Sequence, residues 1–431
     1  MKLSAKNLIE NDYVFSIISK ILFVVVGIFH AAFLARFLGP ELKGVSASIA
    51  SIVSIGSVVI TVGIHQAFPY YRKQDLSQSF LNKFCTNVLF VYTFLWIVAF
   101  VLFVSINANI IVRGSILLIP LFGYETIINY VFLIEASKKR NIVNIVASFI
   151  ETAALCVFWL VLKPNNLLML VGLSLAVIFR AFFSTVLLKF RINLKYISIK
   201  YLVELFKFGF LPMVALLLTI LNSRVDILML NAIDSVSIAQ IGIYSVGAGL
   251  AEKALLIPDA IREILLGKLV AGKGVSEISA ACRIGSFISI VITIGILFLG
   301  NFAISLLYGI EYADAYSVTL ISSIGAVFMV YIKMISQYNI VHKKQLTNAL
   351  LLSVSVAVNV IFNLILIPKF GINGAAIATL IGHFVSGACF IVFFVKKSTA
   401  KLNEILFIKR QDLKTLKSFL KTKKDTVKNP D

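Results

Sequence analysis

The chain has 431 residues, of which 59% are hydrophobic and only 14% are charged, and its mean hydropathy is +0.97. This composition excludes an ordinary soluble globular protein. Its formal net charge of +20 would suggest a nucleic-acid partner in a soluble chain. Because no nucleic-acid-binding module and no aromatic-interleaved basic stretch accompanies that charge, we expect no nucleic-acid partner. The positions of the charges are more informative than their sum.

Twelve apolar stretches fill the chain between residues 14 and 395. Each is long enough to cross a bilayer, which takes about 20 apolar residues. Since only a helix or a closed barrel satisfies its backbone groups inside hydrocarbon, the sequence predicts an all-α polytopic membrane protein with about 12 transmembrane helices. The predicted spans are 14–36, 45–67, 84–106, 110–136, 142–162, 167–188, 208–231, 240–266, 284–308, 316–338, 347–367 and 372–395.

Lysine and arginine concentrate in alternate loops between these spans. The basic residues of one set are Arg72, Lys73, Lys83, Lys138, Lys139, Arg140, Lys189, Arg191, Lys195, Lys200, Lys207, Lys268, Lys273, Arg283, Lys343 and Lys344. The other set of loops carries only Arg36, Lys43, Arg113, Lys163 and Lys369. Because basic residues favour the cytoplasmic side of a membrane, we expect both termini in the cytoplasm.

The longest inner connection, residues 189–207, divides the chain into two halves of six spans. We predict an N-terminal lobe over residues 1–195, a C-terminal lobe over 196–395 and a tail over 396–431. Six is an even number, so any internal repeat is expected to be parallel, about an axis along the membrane normal. A short echo is consistent with a repeat, because residues 40–46 before span two resemble residues 238–245 before span eight, with Gly44 and Gly242 in the same place.

The tail combines apolar residues at helical spacing with many lysines. The apolar residues are Leu402, Ile405, Leu406, Leu413, Leu416 and Leu420. Such a segment is expected to lie on the anionic inner leaflet, with each basic residue contributing about 1 kcal/mol near the surface. Membrane lipids are therefore predicted partners.

Ionisable side chains within the predicted spans are rare and informative, because a charge at the bilayer centre costs about 2.5–3.5 kcal/mol on insertion scales. They are Lys20, Glu125, Glu151, Arg180, Arg224, Asp226, Glu252, Lys253, Asp259, Arg262, Glu263 and Lys333. We expect them to face each other or an aqueous cavity, not lipid.

Some of these residues have obvious partners in the sequence. Asp259 and Arg262 are three residues apart and share a helical face. Either Glu125 or Glu151 is a possible partner for Arg180, and the sequence leaves that choice open.

The cations Lys20, Arg224 and Lys253 have no such partner. Asp226 is two residues from Arg224, so the two side chains diverge by about 200° on a helix. Glu252 adjoins Lys253 and points elsewhere. We predict that the three cations line a shared aqueous cavity between the lobes, with separate salt bridges between helices as the alternative. A cationic cavity suits an anionic head group such as phosphate or pyrophosphate.

Signatures of soluble enzymes are absent from the sequence. There is no Walker loop, and the four histidines (His30, His65, His342, His383) are scattered singly, so we predict no metal site. The four cysteines (Cys85, Cys156, Cys282, Cys389) lie in or beside spans without metal-ligand spacing and are expected to be small buried hydrophobic residues. His30 is kept as a possible cavity residue.

Four stretches resemble the O-antigen and polysaccharide flippases, the lipid-linked oligosaccharide branch of the multidrug/oligosaccharidyl-lipid/polysaccharide (MOP) exporter superfamily. They are residues 35–45 (Ala-Arg-Phe-Leu-Gly-Pro-Glu-Leu-Lys-Gly-Val), residues 222–226 with 241–245, residues 307–315, and residues 359–379. The last is the most specific, with its Asn-Leu-Ile-Leu-Ile-Pro-Lys-Phe-Gly-Ile-Asn-Gly-Ala-Ala core. Together they extend the resemblance over nearly the whole chain.

The resemblance implies two six-helix lobes that alternate between inward- and outward-open states in a bacterial inner membrane. The implied substrate is an undecaprenyl-pyrophosphate-linked sugar unit, moved from the inner to the outer leaflet, with a downstream polymerase as a possible partner. By this similarity Arg224 and Asp226 occupy the matching positions of span seven. Lys20, Arg180 and Lys253 are added as substrate-binding residues from charge and depth alone. No cofactor is expected, and a coupling ion, H⁺ or Na⁺, stays open.

Two other functions fit a polytopic bundle. A drug or cation antiporter on the same fold would need carboxylates in the cavity of the first half. Span one offers Lys20 and no carboxylate, although Glu125 and Glu151 keep this alternative open. A membrane glycosyltransferase, ligase or polymerase would be expected to carry a large periplasmic loop with catalytic residues. The predicted outer loops are short, so we expect a transporter and not an enzyme.

The charge pattern makes a topological prediction. Alkaline phosphatase fused after Asn165, in a predicted outer loop, should be active, and the same enzyme fused after Lys195 should be inactive, because the enzyme folds only outside the cytoplasm. Fluorescent-protein fusions at the same two sites should give the opposite pattern. Activity after Lys195 at equal expression would reverse the predicted orientation.

Overall fold

A computed structural model describes residues 5–161, 163–270, 274–342, 344–410 and 412. Within these ranges, the side chains of residues 5–25, 155, 156, 158–160, 263, 264, 266–268 and 270 are not described. Lys20 is therefore placed only by its backbone, and Cys156 and Glu263 likewise. The part of the chain that is described contains helices and no strand. The helices are α1 (Ala5–Thr61), α2 (Ile64–Gln74), α3 (Gln78–Ser105), α4 (Ile110–Val161), α5 (Asn166–Leu187), α6 (Ile199–Ala232), α7 (Ile238–Glu252), α8 (Leu256–Val270), α9 (Val275–Tyr308), α10 (Ala315–Val341), α11 (Gln345–Lys397) and α12 (Leu402–Leu406).

Three helices are too long for one crossing. α1, α4 and α11 have 57, 52 and 53 residues, and a straight helix of that size would be about 80 Å long against a hydrocarbon core of about 30 Å. Each contains one non-helical residue, at Gly39, Ala136 and Gly371 respectively. The described residues form nine candidate membrane segments, and dividing these three at their interruptions gives the predicted twelve spans. The all-α polytopic fold is confirmed.

The interruptions have local causes in the sequence. Gly39 has a φ of 69°, a conformation that glycine adopts without a Cβ penalty, and Pro40 then opens the next helical segment, where its missing N–H costs nothing. Gly371 has a φ of 54° and follows Pro368 by less than one turn, so α11 turns between the predicted spans 347–367 and 372–395.

Three predicted spans differ from the structure, two at a boundary and one in its interior. Span two ends at Thr61 and not at 67, because Val62 and Gly63 are left-handed and a separate amphipathic helix, α2, follows. Span seven begins within the predicted linker, since α6 runs unbroken from Ile199. Span eight is not continuous, because a 3₁₀ turn at Lys253–Leu255 separates α7 from α8. Pro258 lacks the N–H that an α-helix would use at this turn.

The residues cluster into two compact units. The first comprises residues 1–245 and 305–312, and the second comprises 246–304 and 313–431. The core of the first unit includes the fully buried Phe68, Phe84 and Phe132. That of the second includes the fully buried Phe390 and Phe394. These units differ from the lobes predicted from span order, whose boundary near residue 195 stays a prediction.

Part of the tail is packed onto the second unit. Ile405 of α12 is fully buried, so its predicted contact with lipid was wrong. The Arg283 guanidinium forms two hydrogen bonds with the Asp412 carboxylate, at 2.6 and 2.8 Å, and another with the Glu404 carbonyl. Burial by itself would raise the pKa of Asp412, but hydrogen bonds from Arg283 and the Lys409 amide lower it overall. The predicted apolar positions 413, 416 and 420 lie outside the described residues.

The Arg283–Asp412 pair predicts a specific stability pattern. Both side chains are 7% exposed, so Arg283→Ala strands a buried carboxylate and should destabilise the protein by about 3–5 kcal/mol. The double variant R283A/D412A should recover part of that loss, because no buried charge is then left alone. Thermal unfolding in detergent measures both effects. A double variant less stable than R283A would contradict this account.

Candidate substrate site

The interior of the first unit contains several of the intramembrane charges. Arg180 on α5 donates to Glu125 on α4, with Nε and Oε1 2.9 Å apart. This is one of the two partners that the sequence left open for Arg180. Glu125 also accepts a hydrogen bond from Asn129 at 2.7 Å, and Asn129 in turn accepts one from Arg140 at 2.5 Å. Arg180 is thus part of a structural network within α4 and α5, and its role in substrate binding stays a prediction.

The second carboxylate of this interior, Glu151, pairs with a different residue. His30 Nε2 on α1 lies 3.3 Å from Glu151 Oε1, and the Thr152 hydroxyl lies 3.4 Å from His30 Nδ1. The pair joins the segment of α1 before Gly39 to the second half of α4. Both side chains are partly buried. Glu125 and Glu151, the two carboxylates considered for Arg180, thus each have a different partner.

Lys43 is a residue that the sequence reading missed, because it was assigned to an outer loop. It lies on the helical segment that begins at Pro40 and is partly buried. It lies within electrostatic range of Arg224 on α6 and of the His30 imidazole. No hydrogen bond or ion pair joins Lys43 to any residue that the structure describes. The Gly39-Pro40 pair was the sequence signal that could have revealed this placement. A helix that restarts at Pro40 places Lys43 in a helix and not in a loop.

The combination of Lys43 and Arg224 is the feature that points to a ligand. Two cations placed near each other repel, and removing them from water adds a desolvation cost. An anion with several oxygens would offset both costs by accepting charge-assisted hydrogen bonds from the lysine and the guanidinium. The geometry therefore suits a phosphate or diphosphate group better than a cation.

Asp226 occupies a different environment from Arg224. It is only 3% exposed, and it accepts a short hydrogen bond from the hydroxyl of Tyr244, which is 1% exposed. The bond ties α6 to α7 within the first unit. Asp226 thus has a clear structural role, and its assignment as a substrate-binding residue stays a prediction.

The two remaining cations of the predicted cavity are Lys20 and Lys253. Lys20 falls among the residues whose side chains are not described. Lys253 is exposed, in the 3₁₀ turn of the second unit. Because Arg224 belongs to the first unit and Lys253 to the second, the shared cavity stays a prediction.

The second unit contains an ionic cluster of its own. Asp259 lies 3.5 Å from Arg262 Nε, which confirms the pair expected from their spacing. Lys333 on α10 also donates to both Asp259 oxygens, at 2.9 and 2.8 Å. The sequence gave no sign of this second partner, because it comes from a distant helix.

Metal and cysteine predictions can be compared with the described residues. Over those residues, no cluster of histidine, cysteine, aspartate and glutamate could hold a metal ion. Cys85 and Cys282 are free and buried, as expected, and Cys389 is free and partly buried.

Solved structures share this fold at low sequence identity. A multidrug resistance MATE family transporter of the MOP superfamily, in an inward-facing conformation, aligns over 88% of this chain and 94% of its own, with a TM-score of 0.69 and 13% identity. The lipid II flippase MurJ, in an inward closed conformation, aligns over 89% and 87%, with a TM-score of 0.65 and 18% identity. A MOP superfamily transporter from Pyrococcus furiosus gives a TM-score of 0.60 at 14% identity over 88% and 94%. The chain therefore has the fold of these transporters.

Sequence comparisons are less extensive. No family model matches the chain. An uncharacterized membrane protein of Methanocaldococcus jannaschii is 35% identical over 96 residues, which is 22% of this chain. The matched stretch spans only 18% of that relative. Together with the nine apolar helices among the described residues, this match agrees with a multi-pass membrane protein.

The Asp226–Tyr244 bond gives a prediction about stability. Tyr244→Phe should destabilise the protein by about 1–3 kcal/mol, because it leaves a buried carboxylate oxygen without its donor. Asp226→Asn should cost less, since an amide oxygen still accepts from the hydroxyl. Tyr316→Phe is a matched control, because the Tyr316 hydroxyl bonds a carbonyl at an exposed position. Equal thermal stability of Y244F and Y316F would contradict the proposed tie.

Proposed function

We propose that the protein is a flippase for undecaprenyl-pyrophosphate-linked oligosaccharides. It moves units of O-antigen or a related surface polysaccharide from the inner to the outer leaflet of a bacterial cytoplasmic membrane by alternating access. The observation that carries this proposal is Lys43, a partly buried cation that has no partner among the described residues and lies near Arg224. The diphosphate of the lipid carrier would supply a counterion for Lys43 and a further acceptor for the Arg224 guanidinium.

The pairing of the carboxylates supports an anionic substrate. Glu125 and Glu151 are engaged by Arg180 and His30, and Asp226 by Tyr244. A cationic substrate would have to displace one of these partners, whereas a diphosphate would find Lys43 without one. The prenyl chain of such a substrate stays in lipid, while the sugar crosses in an aqueous cavity.

The shared fold supports transport without deciding the substrate. MurJ is a lipid II flippase, which gives a precedent for a lipid cargo on this fold. The Pyrococcus furiosus transporter is described as having a binding pocket of reverse polarity that suggests a different function. A pocket of changed polarity, with a changed function suggested for it, thus has a precedent on this fold.

An ion-coupled drug or cation antiporter is the second candidate. The observation that favours it is the likeness to a multidrug resistance MATE transporter, at a TM-score of 0.69. Its weakness is that the site would need an available carboxylate. The flippase would draw its energy either from an ion gradient, of H⁺ or Na⁺, or from removal of the product by a downstream polymerase.

The proposed function is tested by export of the glycan. Lys43→Gln and Arg224→Gln should each reduce surface glycan at least about tenfold, because each removes a charge-assisted contact with the diphosphate. Lys163→Gln, an exposed cation outside the site, is the matched control. Lipid-linked oligosaccharide should accumulate on the cytoplasmic side. Normal surface glycan in K43Q and R224Q at equal expression, or a drug-sensitive phenotype with normal glycan, would overturn the proposal.

A further inference from the structure

The two echoing segments of the sequence pack directly against each other within the first unit. Pro40–Gly44 of α1 crosses Ile238–Gly242 of α7, and we call this contact the glycine crossing. A Cβ added at Gly44 would overlap the carbonyl oxygen of Ile238, and one added at Gly242 would overlap that of Pro40. The contact is thus reciprocal, since in each segment the first residue meets the glycine of the other, as an approximate two-fold axis requires.

The crossing depends on close approach and not on polar bonds. Over the described residues, no side-chain hydrogen bond or ion pair joins the two segments. Helices in membranes associate tightly where small residues let their backbones meet. Such a contact is sensitive to a single added methyl group, and it can separate without leaving a charge stranded.

Lys43 lies next to Gly44, so its position is set by this crossing. Arg224 is linked to the other segment of the crossing. It lies on α6, and the Asp226–Tyr244 hydrogen bond ties α6 to α7. The described side-chain bond from this part of α1 to α6 is the neutral one between Ser48 and Asn231, at 2.9 Å. A movement of α1 away from α7 would therefore take Lys43 away from Arg224.

We propose that the glycine crossing is an affinity switch for the anion site. When the crossing is closed, Lys43 and Arg224 act on the same anion and hold it tightly. When the crossing opens, Lys43 leaves and the anion is held weakly enough to be released. This inference rests on the proposed anion site and adds the conformational element that controls it.

The test measures binding of inorganic pyrophosphate to the purified full-length protein by calorimetry. Gly242→Ala forces the crossing apart and should weaken binding about tenfold or more, as Lys43→Gln should. The double variant G242A/K43Q should bind no more weakly than K43Q, because both changes remove the same contribution. Gly249→Ala on α7 is the control, since a Cβ there meets nothing within 4 Å, and it should bind as the wild type does.

Each outcome of this experiment has one meaning. Unchanged affinity in G242A, or losses that multiply in the double variant, would overturn the switch and leave the anion site intact. Failure of the wild type to bind pyrophosphate would overturn the anion site and the switch together.

A second variant covers the case in which G242A does not fold. A pair of cysteines introduced at Glu41 and Ala239, one in each segment of the crossing, should, once oxidised to a disulfide, keep pyrophosphate affinity at the wild-type level and stop glycan export until the disulfide is reduced. Export that continues in the oxidised protein would contradict the switch. The two single-cysteine variants should export normally with or without oxidant.

Discussion

A charge inside a membrane protein must have a partner or water, and this constraint organises the interior of the first unit. Arg180 with Glu125 satisfies the constraint across two helices, and the His30 imidazole lies 3.3 Å from Glu151 across another two. These pairs fix α1, α4 and α5 relative to one another. Lys43 has no such partner among the described residues. This isolation is significant only because the carboxylates Glu125 and Glu151 already have partners.

Glycine provides the second constraint, since it decides how near two helices approach. The crossing of α1 and α7 brings backbone atoms together at Gly44 and Gly242. A second close approach joins Gly63, after α1, to Gly209 on α6. The segment of α1 after its kink is therefore held near both of its ends by backbone contact, with Lys43 next to one of them. The same few residues therefore set where the Lys43 charge lies and how far this segment of α1 can move.

The span pattern could be predicted because hydropathy depends on local composition. Interruptions at Gly39 and Gly371 fall in predicted loops, and the one at Ala136 falls at the predicted end of span four. The Asp259–Arg262 pair follows from helical spacing alone. Boundaries were less predictable where an amphipathic helix adjoins a span. The start of α6 and the separate α2 both extend apolar character beyond the bilayer-length segment.

The sequence by itself determined the class of protein, its twelve crossings and the set of ionisable residues that needed an explanation, because all three follow from the cost of placing polar groups in hydrocarbon. Only the tertiary structure decided which charge meets which. Glu125 and Glu151 were equivalent candidates for Arg180, and Lys43 was counted as a loop residue. The physical reason is that an ion pair between helices depends on their rotation and separation, and residues distant in sequence, such as Gly44 and Gly242, set both.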